Sequence, residues 1–345
     1  MNGHSLKIID FETHFYSPQL LSSICSRTEH PYYHVDPSTR NHRMMYAPGV
    51  AADHSEEFIN KLLDIGQSRI KRMDQAGVDV HVLSLSEPSV AWMSDIKVAT
   101  TLARQSNDVL AAATKQYPTR FKGFAALAPQ DPKQAIKELE RCVNELGFVG
   151  WLTHSNYGKD KYLDDKQYWP ILEAAEALNV PIYLHPLIPA MEPFYKYGFS
   201  LAGPPLGFQF ETAMCLLRMI LGGVFDEFPK LRMMMGHLGE TLPFLMERLD
   251  FTFNKPWFNK NDRPQLKRKP SEVLRQNVYV TVSGRYNEPA LRCTLDNMGS
   301  DHVLFASDFP YETMEEGVDF IKHAKISDAD RNKIFYENSK IFNIF

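Results

Sequence analysis

Residues 231–253 read LRMMMGHLGETLPFLMERLDFTF. The first part, Leu231–His237, is a nearly continuous apolar run, which is typical of a strand buried on both faces. The second part, Thr241–Phe253, repeats its apolar residues at the spacing of a helix. This stretch therefore predicts one strand followed by one helix.

Seven further runs of the same kind recur along the chain. They are Lys7–Phe11, Val78–Leu85, Phe121–Ala128, Phe148–Thr153, Val180–His185, Val278–Ser283 and Val303–Asp308. Helical patterns lie between them, over Glu57–Ala76, Val98–Gln116, Pro132–Leu146, Gln167–Leu178 and Glu211–Phe225. Eight strand–helix units predict an α/β protein, a (β/α)8 TIM barrel, with residues 1–345 forming a single domain.

Two segments exceed what the barrel repeat needs. Residues 16–56 form a long insertion after the first strand, and residues 255–270 form a second one. Long connections without a strand or helix pattern are usually lids or interface arms in compact domains. We expect both segments to act as lids or interface insertions.

Composition excludes several classes of protein. Hydrophobic residues make up 44% of the chain and charged residues 23%, which excludes a disordered chain. The net charge of −4 predicts no nucleic-acid partner, and the absence of a long apolar run predicts no membrane partner. Four widely spaced cysteines without a CxxC pair indicate reduced thiols, so we expect a cytoplasmic protein.

Metal-binding side chains stand at the predicted strand ends. Glu12 and His14 end the first strand, His185 ends the fifth, and Asp308 ends the eighth. The carboxyl ends of barrel strands carry the active site, and this mixed oxygen and nitrogen set suits a divalent metal ion. Each residue alone also fits a surface carboxylate, a core histidine or a turn cap, but their common position favours a metal site.

The other histidines divide into three groups. We expect structural roles for four of them, His4, His81, His302 and His323. His154 follows the fourth strand, where lining the site and a purely structural role are both open. His54 and the other histidines of the first insertion fit solvated loop positions better, although a role in binding substrate stays open.

The block from Phe208 to Asp250 is the most specific motif in the chain. It reads FQFETAMCLLRMILGGVFDEFPKLRMMMGHLGETLPFLMERLD. Together with Glu12-Thr13-His14, Tyr183–Pro186, Thr281–Gly284 and Leu304–Pro310, it resembles the amidohydrolase superfamily. The similarity is to the branch related to aminocarboxymuconate semialdehyde decarboxylase, which includes γ-resorcylate, dihydroxybenzoate and 5-carboxyvanillate decarboxylases.

The resemblance implies a ligand set and a polar wall. The implied metal ligands are Glu12, His14, His185 and Asp308, and the implied wall residues are His237, Glu240 and Arg248. The fourth strand carries no lysine to bridge two ions, so we expect one divalent metal ion, Mn or Zn. The family also implies a homodimer or homotetramer, in which Arg40 or Arg43 would reach a neighbouring active site.

The implied reaction is a metal-dependent, non-oxidative and reversible decarboxylation. We hypothesise that the substrate is a small aromatic carboxylic acid of the ortho-hydroxybenzoate type, with the metal holding its phenolate and carboxylate oxygens. Asp308 would protonate the ring carbon, and Arg248 would offer a guanidinium to a carboxylate. Phe208 and Phe210 would contribute to an apolar slot for the ring.

Two other functions are alternatives for a barrel of this kind. A metal-dependent hydrolase or hydratase of a lactone, amide or unsaturated acid would use Asp308 as a base that activates water. A barrel that only binds a ligand would lack one of the metal ligands, and none is missing from this sequence.

Overall fold

The computed structural model describes residues 7–259, 261 and 263–344. Eight parallel strands in the order β1-β5-β6-β7-β8-β9-β10-β11 form the central sheet, and β2-β3-β4 form a small second sheet. The strands are β1 (Ile9–Phe15), β2 (Tyr32–Val35), β3 (His42–Ala47), β4 (Val50–His54), β5 (Val80–Leu85), β6 (Phe121–Ala125), β7 (Gly150–His154), β8 (Ile182–His185), β9 (Met233–Met235), β10 (Val278–Thr281) and β11 (Val303–Leu304). Each of the eight predicted runs overlaps one strand of the central sheet, although β1 and β7 continue past the ends of their predicted runs, to Phe15 and His154. The predicted barrel class is confirmed.

Backbone hydrogen bonds between the first and last strands close the sheet into a barrel. The Phe11 amide donates to the Phe305 carbonyl at 3.1 Å, and the Asp308 amide donates to the Glu12 carbonyl at 2.9 Å. The buried Asp10 carboxylate adds a side-chain link, because it accepts hydrogen bonds from the Ser307 amide at 3.0 Å and from the Ser307 hydroxyl. Closure therefore fixes Asp308 directly beside Glu12.

Fifteen α-helices among the described residues surround the barrel or belong to the connections. They are α1 (Pro18–Ser26), α2 (Glu56–Leu63), α3 (Gln67–Ala76), α4 (Ile96–Gln116), α5 (Pro132–Asn144), α6 (Trp169–Ala177), α7 (Phe199–Ala202), α8 (Gly207–Leu221), α9 (Val224–Glu227), α10 (Leu242–Leu249), α11 (Phe251–Asn254), α12 (Pro270–Asn277), α13 (Glu288–Met298), α14 (Met314–His323) and α15 (Asp328–Phe335).

The single helix predicted over Glu57–Ala76 was wrong, because the structure has two helices there. The Asp64 carboxylate accepts a hydrogen bond from the Gly66 amide at 3.1 Å, and this local bond replaces a helical one. The patterns over Glu211–Phe225 and Thr241–Phe253 are likewise interrupted, after Leu221 and after Leu249. Apolar spacing continues across these breaks, so it does not reveal them.

The barrel interior is filled at the end where the strands begin. Phe11, Tyr183 and Met234 pack there with Phe342 and Ile344 from the end of the chain. The Phe342 ring meets the Phe11 ring edge-on at 5.8 Å. A cavity inside the barrel is consequently open only at the carboxyl ends of the strands.

No helix in the described part of the chain has the length and apolar character needed to cross a membrane.

The insertion after β1 is ordered and lies beside this open end. Residues 16–56 contain α1 and the antiparallel sheet β2-β3-β4, in which Tyr33 pairs with Met44 and Met44 pairs with Ala52. Tyr33 and Met44 are buried, so the small sheet packs on the barrel.

The second insertion, 255–270, lies against α9. Its Lys267 amide donates to the Asp226 carboxylate at 2.8 Å, and the Arg268 guanidinium donates to the Phe225 carbonyl at 2.7 Å. Lys260 and Asp262 of this insertion lie outside the described residues.

Candidate active site

The four predicted metal ligands meet at the open end of the barrel. Glu12 and His14 come from β1, His185 ends β8, and Asp308 follows β11. One ligand atom from each lies within 4.8 Å of all the others. His14 Nε2 is 3.0 Å from Asp308 Oδ1, and His185 Nε2 is 3.6 Å from Glu12 Oε1.

The hydrogen bonds around this cluster leave ligand atoms available. Glu12 is fully buried, its Oε2 accepts from the Thr281 hydroxyl at 3.2 Å, and its Oε1 has no hydrogen-bond partner. His185 Nδ1 lies 2.9 Å from the Pro186 carbonyl, which fixes the proton on Nδ1 and leaves the lone pair on Nε2. An unpaired buried carboxylate oxygen is costly without a cation. The residues therefore fit one divalent metal ion.

An unusual backbone aims His237 and Glu240 at this cluster. The φ angles of His237, Leu238, Glu240 and Thr241 are +55°, +56°, +51° and +77°. Non-glycine residues seldom adopt such angles, and runs of them occur mainly at functional sites. The turn brings His237 Nδ1 to 2.5 Å from Glu240 Oε1, while His237 Nε2 lies 3.7 Å from Asp308 Oδ2.

These contacts set opposite charges on His237 and Asp308. Burial acts to lower the pKa of His237, but the carboxylates of Glu240 and Glu12 raise it well above its ordinary value. Burial acts to raise the pKa of Asp308, but hydrogen bonds with His14 and His237 hold it below its ordinary value. In this arrangement a protonated imidazole faces an ionised carboxylate.

A cavity of about 450 Å³ opens next to the cluster. Its wall combines aromatic and proline side chains with titratable ones. The lining residues are Tyr46, His54, Glu87, His185, Pro186, Phe199, Pro204, Pro205, Phe208, Gln209, His237, Glu240, Gly284, Arg285, Asp308, Tyr311 and Glu312. This volume and this mixture suit a small, flat, polar-substituted ligand such as an aromatic acid.

Two of the predicted substrate-binding residues lie near the cavity. Phe208 lines it, and its ring meets the Phe199 ring edge-on at 5.7 Å. His154 is buried behind His185, with ring centroids 5.3 Å apart, and does not line the cavity.

Four other predicted residues lie on the surface of this chain. The Phe210 side chain is 51% exposed, and Arg248 stacks over Phe251 at 4.1 Å. Arg40 pairs with Glu56 at 2.8 Å, and Arg43 pairs with Asp53 at 2.9 Å. The structure does not bring these four side chains to the cavity of their own chain.

Several wall residues were not singled out from the sequence. Tyr46 and His54 come from the first insertion, and His54 lines the cavity rather than standing in solvent. Glu87, Arg285 and Tyr311 come from loops that follow β5, β10 and β11. The sequence signal for Glu87, Arg285 and Tyr311 is their position after predicted strands, where the active sites of barrels lie.

Glu87 is a buried acidic residue among these wall residues. It is 3% exposed, its Oε1 accepts from the Tyr46 hydroxyl at 2.5 Å, and its Oε2 has no partner. Burial raises its pKa to about 8, with a smaller rise from Asp308 and an opposing effect of the Tyr46 hydrogen bond. Glu87 is therefore mostly protonated at neutral pH.

Glu87→Gln is expected to change how stability depends on pH. In the native protein the proton on Glu87 is retained up to a pKa of about 8, whereas the unfolded chain loses it near 4.5. Because the native protein holds this proton more tightly, the proton contributes to the free energy of unfolding. This contribution is complete below pH 4.5 and is lost as the pH rises through about 8. The free energy of unfolding of the variant, relative to the native protein, should therefore rise by about 2–4 kcal/mol between pH 5 and pH 9.

Denaturant unfolding at the two pH values checks this prediction. Glu145→Gln removes an exposed carboxylate after α5 and serves as the control, with an unchanged difference at both pH values. A Glu87→Gln difference that is the same at both pH values would contradict the assignment of a protonated Glu87.

Glu240→Gln is expected to lower kcat of the reaction catalysed at this site by about 10²-fold. The reason is that the buried Glu240 carboxylate holds the His237 ring in place and stabilises its positive charge. Metal content should stay unchanged, since Glu240 is not a member of the ligand cluster. Steady-state kinetics with metal analysis measures both quantities. Glu247→Gln, an exposed carboxylate on α10, is the control, and equal rates for the two variants would contradict a positioning role of Glu240.

Comparisons with known proteins agree with this geometry. The family described as Amidohydrolase matches residues 9–341. A gamma-resorcylate decarboxylase of Polaromonas sp. is 39% identical over 84% of this chain and 90% of that protein. The crystal structure of a dihydroxybenzoic acid decarboxylase from Polaromonas sp., with bound manganese and the inhibitor 2-nitroresorcinol, has a TM-score of 0.84 and 35% identity, covering 98% of this chain and 97% of that one.

A second solved structure is similar to the same extent. It is a 5-carboxyvanillate decarboxylase from Novosphingobium aromaticivorans complexed with manganese and 4-hydroxy-3-methoxy-5-nitrobenzoic acid. Its TM-score is 0.85 at 31% identity, and the match covers 98% of this chain and 96% of that chain.

Proposed function

The chain belongs to the amidohydrolase family, and we propose that it is a metal-dependent, non-oxidative decarboxylase of an ortho-hydroxybenzoate. The observation that carries the proposal is the buried cluster Glu12, His14, His185 and Asp308, which borders a cavity of the size of one aromatic acid. The enzyme is thus a carbon–carbon lyase within a family named for hydrolases.

The cluster would hold one divalent ion, for which we propose manganese because two similar structures contain it. When bound, the ion would supply positive charge that orients the phenolic and carboxylate oxygens of the substrate and stabilises the charge on the phenolic oxygen. Metal analysis of the protein purified without added metal distinguishes manganese from zinc.

Asp308 would carry the proton that the reaction requires. Its ionised carboxylate takes the proton of the substrate phenol and then delivers it to the ring carbon that bears the carboxylate. The carbon–carboxylate bond breaks, carbon dioxide leaves, and the electron pair of that bond restores the aromatic ring as a phenolate. Atoms and charge balance without an oxidant, because the substrate's own proton replaces the lost carboxylate.

His237 and the apolar wall would assist the step in different ways. The protonated imidazole of His237 faces Asp308 and can donate a hydrogen bond to a substrate oxygen. Phe199, Phe208 and Pro205 offer an apolar surface to the ring. Carbon dioxide is neutral and less hydrated than a carboxylate, so an apolar wall favours the product side of the bond cleavage.

A hydrolase or hydratase is the second candidate function. The low pKa of Asp308 favours it, because an ionised carboxylate beside a metal site also serves as a base toward water. The substrates would then be lactones, amides or unsaturated acids.

A substrate panel separates the two candidates. The protein loaded with Mn²⁺ is incubated with ortho-hydroxybenzoates and, as matched controls, with the corresponding benzoates that lack the ortho hydroxyl. The proposal predicts carbon dioxide and the decarboxylated phenol from at least one ortho-hydroxybenzoate and from none of the controls. Turnover of lactones or unsaturated acids, with no release of carbon dioxide, would move the assignment to the second candidate.

We further propose that the protein is a homodimer or homotetramer, with the 16–56 insertion as a lid or interface arm. Large apolar side chains stand at the surface: Phe244 is 81% exposed, Trp257 68% and Tyr197 66%. Burying such groups against another copy would be favourable.

Light scattering on the purified protein tests the assembly, and a monomer at micromolar concentration would contradict it. The four free cysteines support a reducing, cytoplasmic location, which cell fractionation tests.

A further inference from the structure

Arg285 occupies a defined position at the cavity wall. It follows β10 in the turn that also supports His237, because the Ser283 hydroxyl accepts from the His237 amide at 3.1 Å and the Arg285 amide donates to the Val282 carbonyl at 3.2 Å. Gly284 has φ +57°, and a Cβ there would lie 3.4 Å from the His237 ring. The turn therefore places Arg285 at the same end of the cavity wall as the reactive groups.

The guanidinium of Arg285 has no partner among the described residues. Its side chain makes no hydrogen bond, ion pair or ring contact within the part of the chain that the structure describes, although the residue is half-buried. Other partly or fully buried arginines are paired within the chain: Arg69 donates to the His14 carbonyl, and Arg141 and Arg218 pair with carboxylates. A guanidinium offers five donors, so Arg285 is free to bind an acceptor from a ligand.

Arg285 is also the only lysine or arginine on the described cavity wall. Three of the four acidic side chains on this wall already have other partners. Glu240 pairs with His237, Glu87 accepts from Tyr46, and Asp308 belongs to the metal cluster. Of the wall carboxylates, this leaves the exposed Glu312. The unused positive charge of Arg285 is thus complementary to an anionic group on the ligand.

The anion that Arg285 binds should not be the carboxylate that reacts. That carboxylate leaves as neutral carbon dioxide, so a charge-assisted hydrogen bond to it would stabilise the bound substrate more than the transition state and slow the reaction. A second carboxylate that keeps its charge throughout the reaction carries no such penalty. Its binding energy would improve selection among substrates without opposing bond cleavage.

We propose that Arg285 is a specificity-determining residue that binds a second, non-reacting carboxylate on the ring, so that the preferred substrates are hydroxybenzene dicarboxylates. The inference rests on the proposed decarboxylase function and narrows its substrate class.

The test compares monoacid and diacid substrates. The Mn²⁺-loaded native protein, Arg285→Met and Arg285→Lys are assayed with 2-hydroxybenzoate, 2-hydroxyterephthalate and 4-hydroxyisophthalate. We expect the native protein to prefer at least one diacid, and Arg285→Met to lower kcat/KM for that diacid by about 10- to 100-fold, mainly through KM. The loss for 2-hydroxybenzoate should be several-fold smaller than the loss for that diacid, and Arg285→Lys should retain part of the preference because it keeps the charge but loses the fork.

A binding measurement keeps this inference separate from the proposed function. Calorimetry with isophthalate, terephthalate and benzoate, which lack the ortho hydroxyl, reports affinity without turnover. We expect at least one dicarboxylate to bind the native protein about 10-fold or more tightly than benzoate, and Arg285→Met to remove the difference. Arg275→Met, on the outer helix α12, is the control and should keep the difference.

The outcomes decide both questions independently. Equal loss of monoacid and diacid activity in Arg285→Met, or no preference for dicarboxylates in either measurement, overturns the role of Arg285. If no hydroxybenzoate is decarboxylated by any variant, the proposed function fails. The dicarboxylate affinities of the native protein and Arg285→Met still decide whether Arg285 binds a second carboxylate.

Discussion

Asp308→Asn, assayed at saturating Mn²⁺, is expected to lower kcat for decarboxylation by about 10³-fold or more. Asparagine keeps an oxygen that can bind a metal ion, but it neither accepts the phenol proton nor delivers it to the ring carbon. The loss follows from position, because Asp308 lies both in the metal cluster and within 3.7 Å of His237. Single-turnover and steady-state rates, with manganese measured in the same samples, test this expectation.

The matched control for this variant is Asp301→Asn. Asp301 lies at the opposite end of β11, is 72% exposed, and pairs with Lys333. Its replacement should leave kcat unchanged. A kcat for the metal-loaded Asp308→Asn variant within about 10-fold of the native value would contradict a proton-transfer role for Asp308.

Removal of the metal is the second large expected effect. Chelation should lower turnover by about 10³-fold or more, and Mn²⁺ should restore it, because the charge that stabilises the substrate oxygens is lost. Saturating Mn²⁺ should also raise the free energy of unfolding by about 2.7 kcal/mol at 100 times its Kd. For a chain of this length, that corresponds to a rise in Tm of roughly 4 °C.

Glu12→Gln should abolish both effects of Mn²⁺. Without metal the variant should be at least as stable as the native protein, because the amide replaces a buried carboxylate that has an unpartnered oxygen. Calorimetry with and without Mn²⁺ measures both quantities. The exposed Glu247→Gln control should keep the native response, and a Glu12→Gln variant that still gains stability from Mn²⁺ would contradict the ligand assignment.

The barrel could be predicted from the sequence because parallel strands buried on both faces leave continuous apolar runs. Each strand of the central sheet overlaps one predicted run, and the family resemblance inferred from the 208–250 block is confirmed. The ligand cluster followed from the same reasoning, since strand ends converge at one edge of a barrel. Glu12 and His185 are far apart in sequence, yet their ligand atoms lie 3.6 Å apart.

The cavity wall was much harder to predict. Tyr46 and His54 reach it from a hairpin inserted after β1, and nothing local in the sequence fixes how that hairpin packs. Arg248 shows the opposite difficulty, because its motif suggested a wall residue and the structure places it over Phe251 on the surface. Side chains whose position depends on tertiary packing or on another subunit leave no periodic signal in the sequence.

Decarboxylation in D2O is the most direct test of the proposed proton transfer to the ring carbon. The Mn²⁺-loaded protein is supplied with the ortho-hydroxybenzoate that it turns over, and the product is examined by NMR. We expect one deuterium at the ring carbon that lost the carboxylate, and one carbon dioxide released for each product molecule. A product that retains the carboxylate and has gained the elements of water would contradict this expectation, and would identify the protein as a hydrolase or hydratase.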